Sequence, residues 1–505
     1  MRVLAISTDD QKIFEKDSAV AGRMVEYGKI FNELHIVIFS NRIHNLESRV
    51  RLSENVWAYP THSKNKFLYI FDAFRIGRKI IQDSGFQLQD SVISTQDPFE
   101  TGIIGLIIKF IYRLPLQIQI HTDFANKYFI LHSPLNLIRF SISFLTVSFA
   151  DSLRVVSDRI KNSVQKLNPN VLVLPIRTQL KEEKIEKKKD SEKIIFLTVT
   201  RLEKEKDLVT AIKAFKQVLD KNIDAQFTIV GDGSQKKNLE SRVKNLGLED
   251  IVKFVGWQND LGKYYAEADI YVSSSLYEGY GMAMVEAGLS GLPLVLSDAG
   301  VAGSLFRNGE EAFVCRPKDI AGFARAMLQL ANDSDLRHQM GEKAKTAAQS
   351  QNLKPDEYLR RFKEAMEQAV ICHRAPGGIF KKNILARYLV AGFTGAGTQI
   401  GLLFIFTDLV GFWYLYSSLI AFVVAIIVSF TLQKFWTFAD KNIDGMHNQF
   451  FKYLLVALFG IVFNTSFMFV LVDIFGLWYI LAQIIVGAII AALNFLMYKL
   501  FIFHK

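Results

Sequence analysis

The C-terminal stretch limits most strongly what this chain can fold into. From Ile384 onward it carries four apolar segments, at about 388–407, 412–433, 453–472 and 474–498. Each approaches or exceeds the roughly 20 residues that an α-helix needs to cross a bilayer. A buried soluble core holds one such run; four in succession predict four spans. The stretch before Ile384 reads as an ordinary soluble protein. With 505 residues, half of them hydrophobic, the chain is long enough for roughly three domains.

Charge orients the spans. Lys381, Lys382 and Arg387 precede the first, Lys434, Lys441 and Lys452 lie between the second and third, and Lys499 and Lys505 follow the fourth. The other two connections carry Asp408 and Asp473 and no Lys or Arg. The positive-inside rule then predicts a multi-pass protein of the cytoplasmic membrane, with both termini and the whole soluble part in the cytoplasm. Two cysteines, Cys315 and Cys372, make no disulfide framework and agree with a reducing compartment. "MRVLAIS" reads as a first strand and is too short for a secretory signal. Net charge is +10, of which residues 379–505 supply +4 through eight Lys/Arg against four Asp/Glu. That excess suits a membrane surface or phosphorylated ligands. No basic helix with interleaved aromatics appears, so nucleic acid is not an expected partner.

The apolar part repeats itself. "YLVAGFTG…FTDLVGFWY…SFTLQKFWTF" (388–438) aligns with "YLLVALFG…LVDIFGLWY…NFLMYKLFIF" (453–503). Asp408 matches Asp473, Trp413 matches Trp478 and Lys434 matches Lys499, each at an offset of 65 residues. Two spans per repeat return the chain to the same side, so the repeats are parallel about an axis along the membrane normal. Lys434 and Lys499 sit at the inner ends of matching spans, where two cations could converge on one phosphate headgroup. Gln433 and Asn494 would be the hydrogen-bond donors beside them. An amide inside a span is costly unless it finds a partner; the alternative is ordinary snorkelling of terminal lysines.

The soluble part alternates short β-branched runs with helical stretches on both sides of "LKEEKIEKKKDSEK" (180–193), a charge run that reads as a solvated linker. This predicts two parallel-sheet domains, 1–179 and 194–372, with a cleft at the carboxyl ends of their strands. A polar helix at roughly 355–371 closes the second domain, residues 373–383 form a linker broken by Pro376, Gly377 and Gly378, and 384–505 is the membrane domain. "SPLNLIRFSISFLTVSFA" (133–150) reads as the packed helix before the strand "SLRVVS", with an amphipathic membrane-surface helix as the alternative.

Four motifs carry the chemistry: "VTRLEKEKDLVTAIKAF" (199–215), "FTIVGDGSQKKNLE" (227–240), "VKFVGW" (252–257) and "EGYGMAMVE" (278–286). Their order and spacing resemble those of the retaining, nucleotide-sugar-dependent glycosyltransferases of the GT-B fold. The resemblance covers roughly residues 1–370 and is sharp from 194 to 314. It implies an α/β protein of two Rossmann-like domains, the first for the acceptor and the second for the donor. A sugar nucleotide leaves as a diphosphate, and two fixed cations after a strand, Arg201 and Lys206, can stabilise that charge. The family places its diphosphate contacts there, although its usual Lys-Gly is Lys206-Asp207 here. It uses the second carboxylate of the last motif, Glu286, for the ribose hydroxyls and the first, Glu278, for the donor sugar. Gly279 and Gly281 let the backbone approach the ligand, and amides near Tyr280 and Met282 would cap the leaving phosphate.

In the first domain the family has a histidine where His121 ends the strand "LQIQIH", at the donor sugar, with Asp123 as a neighbouring candidate. Gly22 and Arg23 occupy the place of its N-terminal glycine loop, where one glycine stands instead of a pair. "GDG" at 231–233 lacks the full dinucleotide spacing and reads as a tight turn. No metal and no cofactor is expected, because Arg201 and Lys206 can take the place of a divalent cation.

The membrane repeat, with "SFTLQKFWTF" (429–438), resembles the GtrA-like family of four-span proteins, which is linked to polyprenyl-phosphate-sugar translocation and cell-surface glycan synthesis. Gln433-Lys434 stands where that family commonly has Asn-Arg or Asn-Lys. The expected whole is a retaining NDP-sugar-dependent hexosyltransferase acting on a lipid-linked or cell-envelope glycan precursor at the cytoplasmic face. A homodimer through the membrane domain is compatible with it. The competing reading is a polyprenyl-phosphate-sugar flippase whose soluble domain is a sensing or supply module. A plain anchor would explain four spans but not their repeat.

Overall fold

The computed structural model describes residues 1–8, 11–15, 18–41, 48–178, 193–374, 384–438, 440, 445–471, 486–487, 489–491, 493–495, 497–498 and 502–503. They form two compact units, Met1–Ala375 and Pro376–Lys505.

The first unit contains two sheets. Strands β1 (Arg2–Ser7), β2 (Glu33–Ile38), β3 (Val50–Ser53), β4 (Val56–Pro60), β5 (Ser91–Thr95), β6 (Leu116–Ile120), β7 (Ser152–Val155) and β8 (Val171–Val173) pair in the order β3-β4-β2-β1-β5-β6-β7-β8. Only the β3–β4 pair is antiparallel. Strand β5 is covered on both faces, and every residue of "SVIST" is buried, its Ser and Thr included. Strands β9 (Ile194–Val199), β10 (Ala225–Val230), β11 (Val252–Gly256), β12 (Ile270–Ser273), β13 (Leu294–Ser297) and β14 (Ala312–Cys315) pair all-parallel in the order β11-β10-β9-β12-β13-β14.

Each sheet reverses direction at its first strand: β1 lies between β2 and β5, and β9 lies between β10 and β12. In such sheets the loops beyond the carboxyl ends splay apart at the reversal and leave a crevice. The loops after β9 and β12 are the ones that carry Arg201, Lys206 and Glu278.

The helix Pro355–Arg374 shows where sequence reading reaches its limit. Its apolar stripe of Tyr358, Leu359, Phe362, Ala365, Met366, Ala369 and Val370 is buried. That stripe covers the first sheet, not the second with which it is contiguous in sequence. Gln117 Nε2 donates to the Ala365 carbonyl at 2.6 Å, and Phe362 stacks on Tyr27 with ring centroids 4.6 Å apart. Periodicity reveals that a helix has an apolar face; which sheet lacks a cover is decided by the assembled layers.

In the second unit, three helices among the described residues are long and apolar enough to cross a bilayer: Val390–Leu409, Leu415–Thr437 and Met446–Asn464. Most of the expected fourth segment, together with Lys499, Asp473 and Trp478, lies outside the described residues. The helices end in wide turns, Ile405–Leu409 and Leu432–Thr437. In the second of these, Phe438 N donates to Gln433 O at 2.9 Å, and 65 residues on, Phe503 N donates to Tyr498 O at 2.8 Å. Aromatic contacts obey the same shift. Phe438 stacks on Phe503, while Phe430–Phe503 matches Phe438–Phe495 and Tyr388–Phe495 matches Tyr453–Phe430.

Phe362→Ala should destabilise the first unit by about 3–5 kcal/mol, because it removes a buried ring wedged between Tyr27 and Arg154. Urea denaturation of the full chain in detergent, followed by circular dichroism, measures the loss.

Candidate active site

The second-domain half of the site is built at the β9/β12 reversal. Lys206 ends the loop after β9, and its ammonium is paired with Glu278 from the loop after β12. Glu278 Oε1 also accepts from Ser275 Oγ at 2.9 Å. Both bonds fall on Oε1, so Oε2 accepts none among the described residues. Ser274 Oγ fixes the loops to each other by donating to the carbonyls of Lys206 and Asp207. Arg201, the other expected cation, is largely exposed and reaches Glu205 at 3.4 Å.

The loop then turns into the helix Met282–Leu289, whose cap is Gly281 at φ +95°. That backbone suits glycine, and a Cβ there would press on the Met284 sulfur. The first amides of this helix lack intrahelical acceptors and form an anion-binding end. Glu286 lies one turn in, accepting from Tyr265 Oη at 3.0 Å and from Thr178 Oγ1 at 3.1 Å. Burial raises its carboxyl pKa, and those two hydrogen bonds only partly offset the rise. Tyr280 is buried and lines a second cavity, away from Glu286.

Gly279 joins the two domains. A Cβ at this position would collide with the His121 carbonyl oxygen at the end of β6. Ser157 Oγ donates to the Gly279 carbonyl at 2.8 Å, and Arg159 binds the Gly300 and Ala302 carbonyls and pairs with Asp298. The strand ends of the two sheets therefore meet across the crevice.

A cavity of about 470 Å³ lies there, and its wall includes His121, Met282, Glu286, Arg23, Gln96 and Arg154. Of the residues expected from sequence, His121, Met282 and Glu286 share this cavity, while Glu278 and Lys206 pair beside it. Gly22 is an ordinary helical residue in Ala19–Gly28, its amide donating to Ser18 O. A cap bond from Ser18 and a regular helix leave no glycine loop at this place, and Arg23 supplies the polar group instead. The GDG stretch is a tight turn, with Gly231 at φ +134° against the Thr200 carbonyl.

His121 is the most perturbed group in the cavity. Burial, with the nearby Arg154 and Arg23 charges, pushes its imidazole down to about 3. Gln119 Oε1 accepts from Arg154 Nη1 at 2.7 Å and faces His121 Nε2 at 3.3 Å. Because a guanidinium only donates, this amide orientation is fixed, and Nε2 must carry the imidazole proton. Nδ1 is left as an acceptor on a neutral ring.

Sequence reading missed Tyr265, Thr178, Ser275 and Arg154. Only Arg154 left a signal: an arginine inside the apolar strand "SLRVVS".

Two parallel sheets with facing reversals, their strand ends in contact, define the GT-B class of folds. Sucrose-phosphate synthase from Thermosynechococcus elongatus has the same architecture, with a TM-score of 0.60 at 18% identity over 73% of this chain and 98% of that one. Residues 180–347 match the family Glycosyl transferases group 1, and residues 387–503 match the GtrA/DPMS transmembrane domain. The protein thus joins a glycosyl transferases group 1 domain to a GtrA/DPMS transmembrane domain. N-acetyl-alpha-D-glucosaminyl L-malate synthase of Bacillus anthracis is 28% identical over 228 residues, 43% of this chain and 58% of that protein. UDP-Gal:alpha-D-GlcNAc-diphosphoundecaprenol alpha-1,3-galactosyltransferase of Escherichia coli is 30% identical over 160 residues, 31% and 41% of the two chains. The chain spans about half the length of these curated relatives.

In the second unit, Lys434 is fully enclosed and donates to Asp440 at 2.8 Å and Gln449 at 2.6 Å. A lysine already neutralised by Asp440 is not the open cation that the sequence suggests. Gln433 donates to the Tyr388 carbonyl at 3.2 Å, and its Oε1 has no partner among the described residues. Asn494 lies against Gly460. Lys499 is outside the described residues.

Gly279→Ala should reduce kcat/KM steeply, since the two strand ends can no longer meet, and scattering should show a more open first unit. Tyr265→Phe removes one bond that holds the Glu286 pKa down. A hydrogen bond to the charged form stabilises it, so without this bond the pKa should rise further. The pH below which donor affinity collapses should move up correspondingly in a calorimetric pH series.

Proposed function

We propose that the protein is a membrane-bound, retaining hexosyltransferase that takes its sugar from an NDP-sugar. The acceptor is a lipid-linked or cell-envelope glycan precursor at the cytoplasmic face. The observation that carries this reading is the Lys206–Glu278 pair, set at the sheet reversal beside the helix end at Gly281. A donor diphosphate lies against that helix end, where oriented amides and the ammonium of Lys206 meet its growing charge. Glu278 Oε2 accepts sugar hydroxyls, and Glu286 accepts those of the ribose. His121 presents Nδ1 as a neutral acceptor, which suits a sugar hydroxyl and not proton donation. Arg201, exposed at the mouth, reaches the diphosphate once the donor is bound, and the site needs no divalent cation. Similarity to a UDP-galactose-dependent transferase that acts on a diphosphoundecaprenol-linked sugar supports a nucleotide-sugar donor and a lipid-linked acceptor.

The membrane domain, in this reading, is a pair of parallel repeats that binds polyprenyl-phosphate-linked sugar. The paired aromatic contacts and the recurring wide-turn bond support the repeat. Because Lys434 is held by Asp440, a lipid phosphate must take that carboxylate's place.

Purified protein with a panel of labelled NDP-sugars tests the enzyme; binding without hydrolysis or transfer would favour the flippase reading. Glu286→Ala should weaken donor binding by one or two charge-assisted bonds, about 1.5–3 kcal/mol each, by calorimetry. Arg201→Ala should lower kcat more than ground-state affinity, since its partner charge grows in the transition state. Asp440→Asn should strengthen polyprenyl-phosphate binding in nanodiscs while Lys434→Gln abolishes it. Equal affinity in both variants would leave Lys434 a purely structural group.

A further inference from the structure

One face of the first sheet is covered by three helices, Tyr69–Asp83, Glu100–Tyr112 and Pro134–Phe149, packed side by side. Two contacts set the alignment of the last two: Arg139 pairs with Glu100 at 2.8 Å, and Phe149 meets Phe110 with ring centroids 5.6 Å apart. Both join residues 39 apart in sequence, so these helices run parallel and in register. Their inner residues, among them Ile104, Ile108 and Val147, are fully buried.

The outer residues are also apolar. Ile107, Phe110 and Ile111 form an exposed stripe at i, i+3, i+4 on one helix, with Phe110 at 59% and Ile111 at 57% exposure. Leu137 and Phe144, seven residues apart, form another, and Phe71 stands at 67% on the third helix. Water-facing positions on a soluble layer seldom hold this many large apolar side chains together.

The unpaired charges around the stripe are mostly positive. Arg75, Arg78, Lys79 and Arg113 are exposed and make no ion pair among the described residues. The acidic groups of the layer are mostly engaged: Glu100 with Arg139, Asp72 with Ser63 Oγ at 2.6 Å, leaving Asp83 at a helix end. Basic residues bordering exposed aromatic and aliphatic ones match an anionic lipid surface, apolar groups entering the headgroup boundary and cations meeting its phosphates. A short segment ties the first unit to the apolar helices. Nine residues separate Arg374 from Ile384, and such a length reaches at most about 35 Å.

We infer that this three-helix layer is a bilayer-docking surface, which seats the first unit on the anionic cytoplasmic leaflet. It is separate from the cavity at His121 and Glu286 and does not depend on the reaction proposed for it. A second copy of the chain is the other occupant such a face could take, and it lacks the charge match, since two copies would bring four cations against four.

The test uses the full chain in vesicles of phosphatidylethanolamine and phosphatidylglycerol. In a Cys315→Ser, Cys372→Ser background, an environment-sensitive fluorophore is attached at Phe144→Cys, at Ile111→Cys, or, as control, at Lys237→Cys on the exposed helix Lys236–Asn245. The proposal expects blue-shifted emission and quenching by nitroxide-labelled lipid at 144 and 111, and neither at 237. Exchanging Arg75, Arg78 and Lys79 for Gln should cut that quenching at least about twofold in these vesicles but not in pure phosphatidylcholine. Water-like emission at both 144 and 111 overturns it. Blue-shifted emission that lipid does not quench, and that grows with protein-to-lipid ratio, also overturns it and assigns the face to a second copy. The two label sites on separate helices keep the result readable if one variant fails to fold.

Discussion

The site rests on one close approach, the backbone of Gly279 against the carbonyl of His121. It brings the carboxyl ends of two sheets together, and no side chain larger than hydrogen fits between them. The candidate site residues are placed around this contact. The loop before Gly279 carries Glu278 to Lys206, the helix after Gly281 carries Glu286 into the cavity, and β6 delivers His121 from the opposite wall. Ser157 and Arg159 then lock the seam with bonds to second-domain carbonyls, and Arg159 adds an ion pair to Asp298.

Electrostatic balance across the cleft follows from that closure. Glu278 neutralises Lys206 while one of its oxygens stays without a hydrogen bond among the described residues, an arrangement that holds the ammonium in place and leaves an acceptor open. On the other wall, Arg154 sits among aromatic rings and amide oxygens, and its charge together with burial keeps His121 neutral. A cation next to a histidine would be wasteful if the ring had to donate a proton. It is useful if the ring must remain an acceptor. Glu286 is the counterweight, a buried carboxyl whose pKa burial raises and the hydroxyls of Tyr265 and Thr178 bring only partly back down.

The membrane unit solves a different problem with the same economy. Its described core is aromatic, and its contacts recur in pairs at a 65-residue shift, with Phe438 and Phe503 stacked where the two sets meet. Within the described residues this packing encloses a polar node, Lys434 with Asp440 and Gln449. A fully buried ammonium is tolerable only because its charge and two of its donors are satisfied.

The sequence alone determined the local periods. Four apolar runs, strand–helix alternation, the capping turn at Gly281 and the run of motifs from Arg201 to Glu286 are all short-range patterns, and each corresponds to an observed element wherever the chain is described. The sequence also shows Asp408, Trp413 and Lys434 recurring 65 residues on, at positions that lie outside the described residues. Tertiary structure decided the rest. It sent the helix Pro355–Arg374 to the first sheet, buried Lys434 against Asp440, turned Arg201 out toward Glu205, and gave Glu286 its partners at 178 and 265. These outcomes depend on which surfaces remain uncovered once the layers stack and on charges that meet only through the fold. A periodicity states that a face must be buried or an ion balanced; the partner is chosen by the three-dimensional neighbours that the chain itself brings together.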